Sequence, residues 1–173
     1  HPVPESFCAA VRDTVVATLA ARGWDVRVAD LYAENFQPVL HCDERRTYND
    51  CAPNDPALAP HVERLKWAEA VVFVYPTWWY GLPAMLKGWL DRVWATDVAF
   101  RLPQDGGRIV SLVSHIRRIG VVTTCGASWP VSVLMGQPGR KTLLRGIRAL
   151  CAPRSSTLYL AHYNMDRSTP ESR

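Results

Sequence analysis

The stretch from Val71 to Trp94 constrains the fold most, because a strand pattern runs directly into a helix pattern. Val71–Tyr75 is an unbroken run of β-branched and aromatic residues that Pro76 ends, which predicts a parallel strand buried on both faces. Pro83 stands where a first-turn proline belongs in a helix, since its missing N–H would have no partner there. The apolar stripe of that helix is formed by Leu82, Met85, Leu86, Trp89, Leu90, Val93 and Trp94.

The turn between this strand and this helix carries three adjacent large aromatic residues, Trp78, Trp79 and Tyr80. Turns of this kind lie at the carboxyl edge of the sheet in α/β domains, where ligands bind. Exposed rings are costly unless they cover something flat and apolar. The residues alone leave two interpretations open: the rings cover a flat ligand, or they plug a core or an oligomer interface. Gly81 closes the turn, and a larger residue there should disturb it if Gly81 holds the positive φ that glycine allows.

Composition and charge narrow the class of protein. The chain has 173 residues, 48% of them hydrophobic and 21% charged, which predicts a single soluble domain over residues 1–173. The net charge of +4 favours small anionic ligands but is too diffuse to argue for nucleic acid. We find no run long enough for a membrane span and no signal peptide. The five cysteines include no C-x-x-C pair, so we expect neither a disulfide framework nor a metal site, and a cytoplasmic location.

The remaining chain alternates helical and strand patterns. Ser6 is predicted to cap a helix that Gly23 ends. The other predicted elements are an edge strand at Trp24–Val28, a loop to about Asp55, a helix from between Pro56 and Pro60 to about Ala70, a hairpin of Val98–Leu102 with Arg108–Val110, strands at Ile119–Thr124 and Thr157–Ala161, a helix at Gly139–Cys151 with a solvated basic face, and a helix start at Ser168–Glu171. This order predicts an α/β fold with a parallel sheet between layers of helices.

The string PTWWYGLPAMLKGWLDRVW (Pro76–Trp94) resembles the flavin-site signature of the flavodoxin-like NAD(P)H:quinone reductases, the DT-diaphorase family. The resemblance implies a flavodoxin-like three-layer sandwich with the parallel strand order 2-1-3-4-5. In that family a hydrophobic strand precedes the His-Pro that opens this sequence. The expectation is therefore that the first strand and last helix have been trimmed, or that something else fills the gap.

The resemblance also implies which residues hold the flavin. His1, Ser6, Phe7 and Cys8 match the family's phosphate and pyrophosphate contacts, and Pro76, Thr77, Trp78, Trp79 and Tyr80 match the segment that brackets the isoalloxazine ring. Thr123, Thr124, Cys125 and Gly126 are similar to the family's Thr-Thr-Gly-Gly turn. From the residues alone, Ser6 is equally a plain helix cap, and Thr123 and Thr124 are equally ordinary strand residues.

The implied activity is hydride transfer from NAD(P)H, through N5 of bound FMN or FAD, to a quinone or similar small acceptor, in a homodimer. The family's assisting Tyr and His fall here on Val131 and Gln137, so no acid–base residue is assigned. Two alternatives remain from other classes. One is a flavodoxin-like electron carrier or regulatory flavin-binding subunit without NAD(P)H turnover, and the other is a non-catalytic remnant that has lost flavin.

Overall fold

The structure is a computed structural model that describes residues 1–50, 52–103 and 106–169. The helices are α1 (Phe7–Ala20), α2 (Cys42–Thr47), α3 (Ala59–Trp67), α4 (Ala84–Val93), α5 (Trp129–Leu134) and α6 (Pro138–Lys141). The strands are β1 (Ala70–Thr77), β2 (Phe100–Arg101), β3 (Val110–Ser111), β4 (Arg118–Cys125) and β5 (Ser156–His162). Single 3₁₀ turns lie at Pro56–Leu58 and Met165–Arg167.

The main sheet is parallel and has the order β1-β4-β5. Phe73 of β1 pairs with Val121 of β4, which pairs in turn with Tyr159 of β5. The three strands were predicted from their unbroken apolar runs, and those predictions are confirmed. The predicted hairpin is also present, since β2 and β3 pair antiparallel. The fold is the expected three-layer α/β sandwich.

One hydrophobic cluster joins the sheet to its helices. Val93 of α4, Val121 of β4 and Leu143 are fully buried in it. Apolar burial on this scale is the main favourable term in folding. The predicted apolar stripe of α4 therefore points where the sequence places it, although the helix begins at Ala84, with Pro83 as its cap.

The predicted edge strand at Trp24–Val28 is wrong. The segment runs without strand pairing beside a cavity of about 870 Å³, which is lined by β1, α1, α3, α4 and residues 24–33. Because β1 pairs on one side only within the described residues, Val72 of β1 remains 38% exposed instead of fully buried. An alternating apolar pattern makes a strand only when a neighbouring strand takes up its N–H and C=O groups, and none of the described strands pairs with this segment.

The loop to Asp55 contains a helix that the sequence analysis missed. Glu44 of α2 accepts a hydrogen bond from the His41 N–H (3.0 Å), as in a capping box. Arg92 of α4, only 3% exposed, donates to Glu44 and Asp55 (both 2.6 Å) and to the Gln37 carbonyl oxygen (2.5 Å). A buried guanidinium thus fixes the loop against α4.

The predicted helix at Gly139–Cys151 is helical from Pro138 to Leu150 but irregular. A wide π turn at Thr142–Gly146 and a tight 3₁₀ turn at Ile147–Leu150 follow α6. Its basic residues Arg140, Lys141, Arg145 and Arg148 are exposed, as predicted, and Arg148 also donates to the Ser155 carbonyl oxygen (2.9 Å). The predicted helix start at Ser168–Glu171 extends beyond the described residues, and Ser168 itself hydrogen-bonds to the Met165 carbonyl oxygen (2.7 Å).

Candidate functional site

The three segments singled out from the sequence meet at the carboxyl edge of the sheet. Pro76 pairs with Thr124 in the β1–β4 register. This pairing brings the turn after β1 (Trp78–Tyr80, the aromatic turn) beside the turn at the end of β4 (Thr123–Gly126, the threonine turn). The His1 ring lies edge-on to the Trp78 ring, with centroids 6.0 Å apart, so the amino-terminal segment reaches the same place. These contacts confirm that the segments converge. That they hold a flavin remains a prediction.

The amino-terminal segment presents the start of α1 to this edge. Ser6 is the helix cap, as predicted, and its Oγ accepts a hydrogen bond from the Ala9 N–H (3.2 Å). The Phe7 ring lies edge-on to the His162 ring at the end of β5, with centroids 5.2 Å apart. Cys8 is buried, and burial raises the pKa of its thiol above the usual value, against the weaker effects of the N-terminus and Arg12. The Cys8 thiol is therefore protonated at neutral pH.

The aromatic turn has an unusual backbone. The Gly81 N–H donates to the Trp78 carbonyl oxygen (3.0 Å), and the two residues between them, Trp79 and Tyr80, have φ angles of +48° and +62°. Two successive positive φ angles are typical of a type I′ turn, which normally uses Gly, Asn or Asp. Gly81 itself does not have a positive φ, so this reason for a glycine there does not apply. The strain falls on the two aromatic residues because the narrow turn places them, and not the glycine, at its central positions.

Trp79 is the most informative side chain of the turn. It is 95% exposed, while Trp78 is partly exposed and Tyr80 is half-buried. A bulky residue in the left-handed region costs about 1–2 kcal/mol, and such strain is concentrated at functional sites. A strained, exposed tryptophan contributes little to the core of this chain. The core-plug interpretation therefore fails for Trp79, whereas the ligand and oligomer interpretations both remain.

In the threonine turn the backbone is more available to a ligand than the threonine hydroxyls of the two strands, which hydrogen-bond within the sheet. Thr123 Oγ1 donates to the Tyr75 carbonyl oxygen (2.7 Å) and lies 2.8 Å from Thr77 Oγ1, so the Thr77 hydroxyl donates to it. Both hydroxyls thereby tie β4 to β1, as ordinary strand residues do. Thr124 and Cys125 are buried, while Gly126 is exposed at the end of the turn.

Sequence reasoning missed three polar residues at the same edge. Gln137 has a φ of +47°, and its Nε2 donates to the Tyr163 hydroxyl (3.2 Å). Asp166 packs on Gly126 so closely that a Cβ at Gly126 would overlap Asp166 Oδ2 and lie 3.0 Å from its Cγ. Residues that follow parallel strands meet at one edge, and this rule could have found Tyr163 and Asp166 after β5.

Two buried phenols lie behind the rim. Burial raises the pKa of Tyr75, with smaller contributions from Tyr159 and Cys125. Burial likewise raises the pKa of Tyr159, aided by its neighbour Tyr163. Both phenols therefore stay neutral at physiological pH. Over residues 1–50, 52–103 and 106–169, no cluster of three His, Cys, Asp or Glu side chains could hold a metal ion, and no helix is long and apolar enough to cross a membrane.

A parallel sheet whose carboxyl edge gathers an exposed aromatic turn and a helix start is typical of doubly wound α/β domains, which bind their ligands at that edge. The sequence profile of the family described as having a flavodoxin-like fold matches residues 1–153, and the chain belongs to this family.

Individual relatives agree with this assignment. The chain is 34% identical over 121 residues to the uncharacterized NAD(P)H oxidoreductase YcaK of Escherichia coli K12, covering 65% of this chain and 60% of that protein. It is 33% identical over 125 residues to the mouse (Mus musculus) ribosyldihydronicotinamide dehydrogenase [quinone], covering 60% of this chain and 52% of that protein. The chain thus spans a little over half the length of these relatives. The solved NAD(P)H:quinone oxidoreductase of Methanothermobacter marburgensis superposes with a TM-score of 0.82 at 25% identity, over 98% of this chain and 85% of that one.

Proposed function

We propose that the chain binds a flavin, FMN or FAD, at the carboxyl edge of β1 and β4, and passes hydride from NADH or NADPH to a quinone or similar small acceptor. The observation that carries the proposal is the convergence of three separately predicted segments at the carboxyl edge of β1 and β4, where Trp79 is exposed. The relatives named above are NAD(P)H oxidoreductases and quinone-linked dehydrogenases, and they support the same class of reaction.

The residues at the edge fit a flat, phosphate-bearing ligand. Exposed indole rings offer flat apolar faces, and aromatic stacking contributes about 0.5–1.5 kcal/mol per pair beyond burial. The first turn of α1 offers the positive end of a 14-residue helix, where phosphate groups bind. Gly126 is exposed at the end of the turn after β4, although the Asp166 carboxylate occupies the side on which a Cβ would lie. The flavin, when bound, supplies the hydride-accepting and hydride-donating atom.

The chain's own residues would bind and orient the reactants. Trp79 and Tyr80 would cover the ring system, and the N–H groups of Thr124–Gly126 would face the part of the ring that gains negative charge. No side chain is assigned to proton transfer. The Val131 side chain has no proton to transfer, and the Gln137 amide already donates a hydrogen bond to the Tyr163 hydroxyl.

We further propose that the protein works as a homodimer in the cytoplasm. Helix α5 follows the threonine turn directly, and nearly all of it is exposed although it is apolar, with Leu134 at 79%. An apolar face of this kind normally meets a partner, and a second copy would cover both α5 and the neighbouring site. The four described cysteines Cys8, Cys42, Cys125 and Cys151 are free thiols, which agrees with a reducing compartment.

The test is the colour of the protein. Purified protein reconstituted with FMN or FAD should become yellow, release a flavin of defined mass, and bleach anaerobically when NADH or NADPH is added. Restoration of the colour by a quinone would complete the cycle. Bound flavin that neither nucleotide bleaches would instead identify an electron carrier, and protein that never retains flavin would refute the proposal.

A further inference from the structure

The chain after β5 is fastened over the end of the threonine turn. The Asn164 N–H donates to the Ala127 carbonyl oxygen (3.1 Å), and the Tyr163 hydroxyl accepts from Gln137 Nε2 (3.2 Å). Asn164 has a φ of +56°, which reverses the chain so that the short turn Met165–Arg167 folds back. The turn is closed by a hydrogen bond from the Arg167 N–H to the Asn164 carbonyl oxygen (2.9 Å).

This arrangement holds the Asp166 carboxylate against Gly126. A Cβ at Gly126 would overlap Asp166 Oδ2, so the carboxylate is in van der Waals contact with the backbone of the turn. Among the residues that the structure describes, none forms an ion pair or a side-chain hydrogen bond with Asp166. The Arg140 guanidinium is engaged elsewhere, since it donates to Gln137 Oε1 (3.0 Å) and lies over the Tyr159 ring.

A fixed negative charge at this position would act differently on the two redox states of a flavin. Uptake of a hydride by the neutral oxidised ring adds one negative charge to it. A neighbouring carboxylate that no cation among the described residues neutralises disfavours that added charge and leaves the neutral state nearly unaffected. The effect on the two states therefore differs, and only such a difference changes a reduction potential.

We propose that Asp166 lowers the reduction potential of the flavin bound at this edge. The negative charge of its carboxylate, which packs against Gly126, destabilises the reduced, negatively charged state of the flavin. The inference rests on the proposed flavin function. Asp166 acts on the flavin through its charge, and it makes the reduced cofactor a stronger reductant toward the acceptor.

The experiment compares the flavin-loaded wild type with Asp166→Asn, which keeps the shape and removes the charge, and Asp166→Glu, which keeps the charge. The matched control is Asp43→Asn on α2, an exposed carboxylate on the loop that Arg92 fastens to α4. Two quantities are measured for each protein. They are the dissociation constant of oxidised flavin, from fluorescence quenching, and the two-electron midpoint potential, from anaerobic reduction beside a reference dye.

We expect Asp166→Asn to bind reduced flavin about tenfold more tightly relative to oxidised flavin, which is a rise of about 30 mV in the midpoint potential. Asp166→Glu and Asp43→Asn should stay within about 10 mV of the wild type. Equal shifts in Asp166→Asn and Asp43→Asn would overturn the inference, as would a loss of flavin affinity in Asp166→Asn without a change in potential. A wild type that binds no flavin would overturn the proposed function as well, so the two failures are distinguishable.

Discussion

Replacing Trp79 by alanine should separate ligand binding from stability. The Trp79 side chain is 95% exposed, so its removal takes almost no apolar surface out of the core. Alanine keeps a Cβ and so keeps the cost of the positive φ of +48°. We therefore expect the free energy of unfolding of the flavin-free protein to change by less than about 0.5 kcal/mol.

The same substitution should weaken flavin binding much more. A ring face covered by a ligand removes roughly 100 Å² of apolar surface from water on the tryptophan side, worth about 2.5 kcal/mol at 25 cal/mol per Å². Stacking adds about 0.5–1.5 kcal/mol, while ordering of the ligand and the turn offsets part of the total. A net loss of about 3 kcal/mol corresponds to a dissociation constant that is about 100-fold higher.

Two measurements test this expectation. Flavin affinity is measured by fluorescence quenching, and the thermal midpoint of the flavin-free protein by circular dichroism. The control is Trp67→Ala at the end of α3, where the ring lies 4.1 Å beneath the Arg27 guanidinium, remote from the carboxyl edge. This control should lower the thermal midpoint by a few degrees and leave affinity unchanged. If Trp79→Ala lowers the thermal midpoint as much as the control does, or leaves affinity within threefold, the reasoning from exposure and strain is refuted.

Three further outcomes follow from the fold. Gly88→Ala drives a Cβ into the loop carbonyl that packs on α4, so it should cost more than about 2 kcal/mol by chemical denaturation, whereas Gly146→Ala, with open space around it, should be neutral or slightly stabilising. The pKa of Asp55 is lowered by the Ala57 N–H and by Arg92, so the stability it contributes is present at neutral pH and lost as pH falls through the folded pKa. The thermal midpoint difference between wild type and Asp55→Asn should therefore shrink from pH 6 to pH 3, and a constant difference would contradict the assignment. Leu134→Asp should convert a dimer to a monomer in light scattering without unfolding it, and an unchanged mass would exclude α5 as the interface.

The strands and the site's main segments could be predicted because their signals are local. Buried parallel strands are unbroken apolar runs, and β1 and β4 carry such runs at Val71–Tyr75 and Ile119–Thr124. Parallel strands then bring their following residues to one edge whatever the rest of the chain does. The cap of α1 at Ser6 is likewise encoded within a few residues, since its partner is the Ala9 N–H.

The features that escaped prediction depend on residues far apart in the chain or on unfavourable local choices. Helix α2 has only six residues, and its Glu44 is fixed by Arg92, 48 positions away. Trp79 and Tyr80 adopt positive φ although bulky residues rarely do, so a propensity argument assigns the conformation to Gly81 instead. The position of Asp166 requires the reversal at Asn164, another residue with a positive φ.

The two halves of the candidate site are positioned by different elements of the fold. The aromatic and threonine turns extend from β1 and β4, which pair along their whole length, so their relative position is fixed by eight residue pairs. The segment from His1 to Cys8 is held instead by α1, which borders the cavity. The ring-binding half of the site is therefore set by the register of β1 and β4, whereas the phosphate-binding half is set by the position of α1.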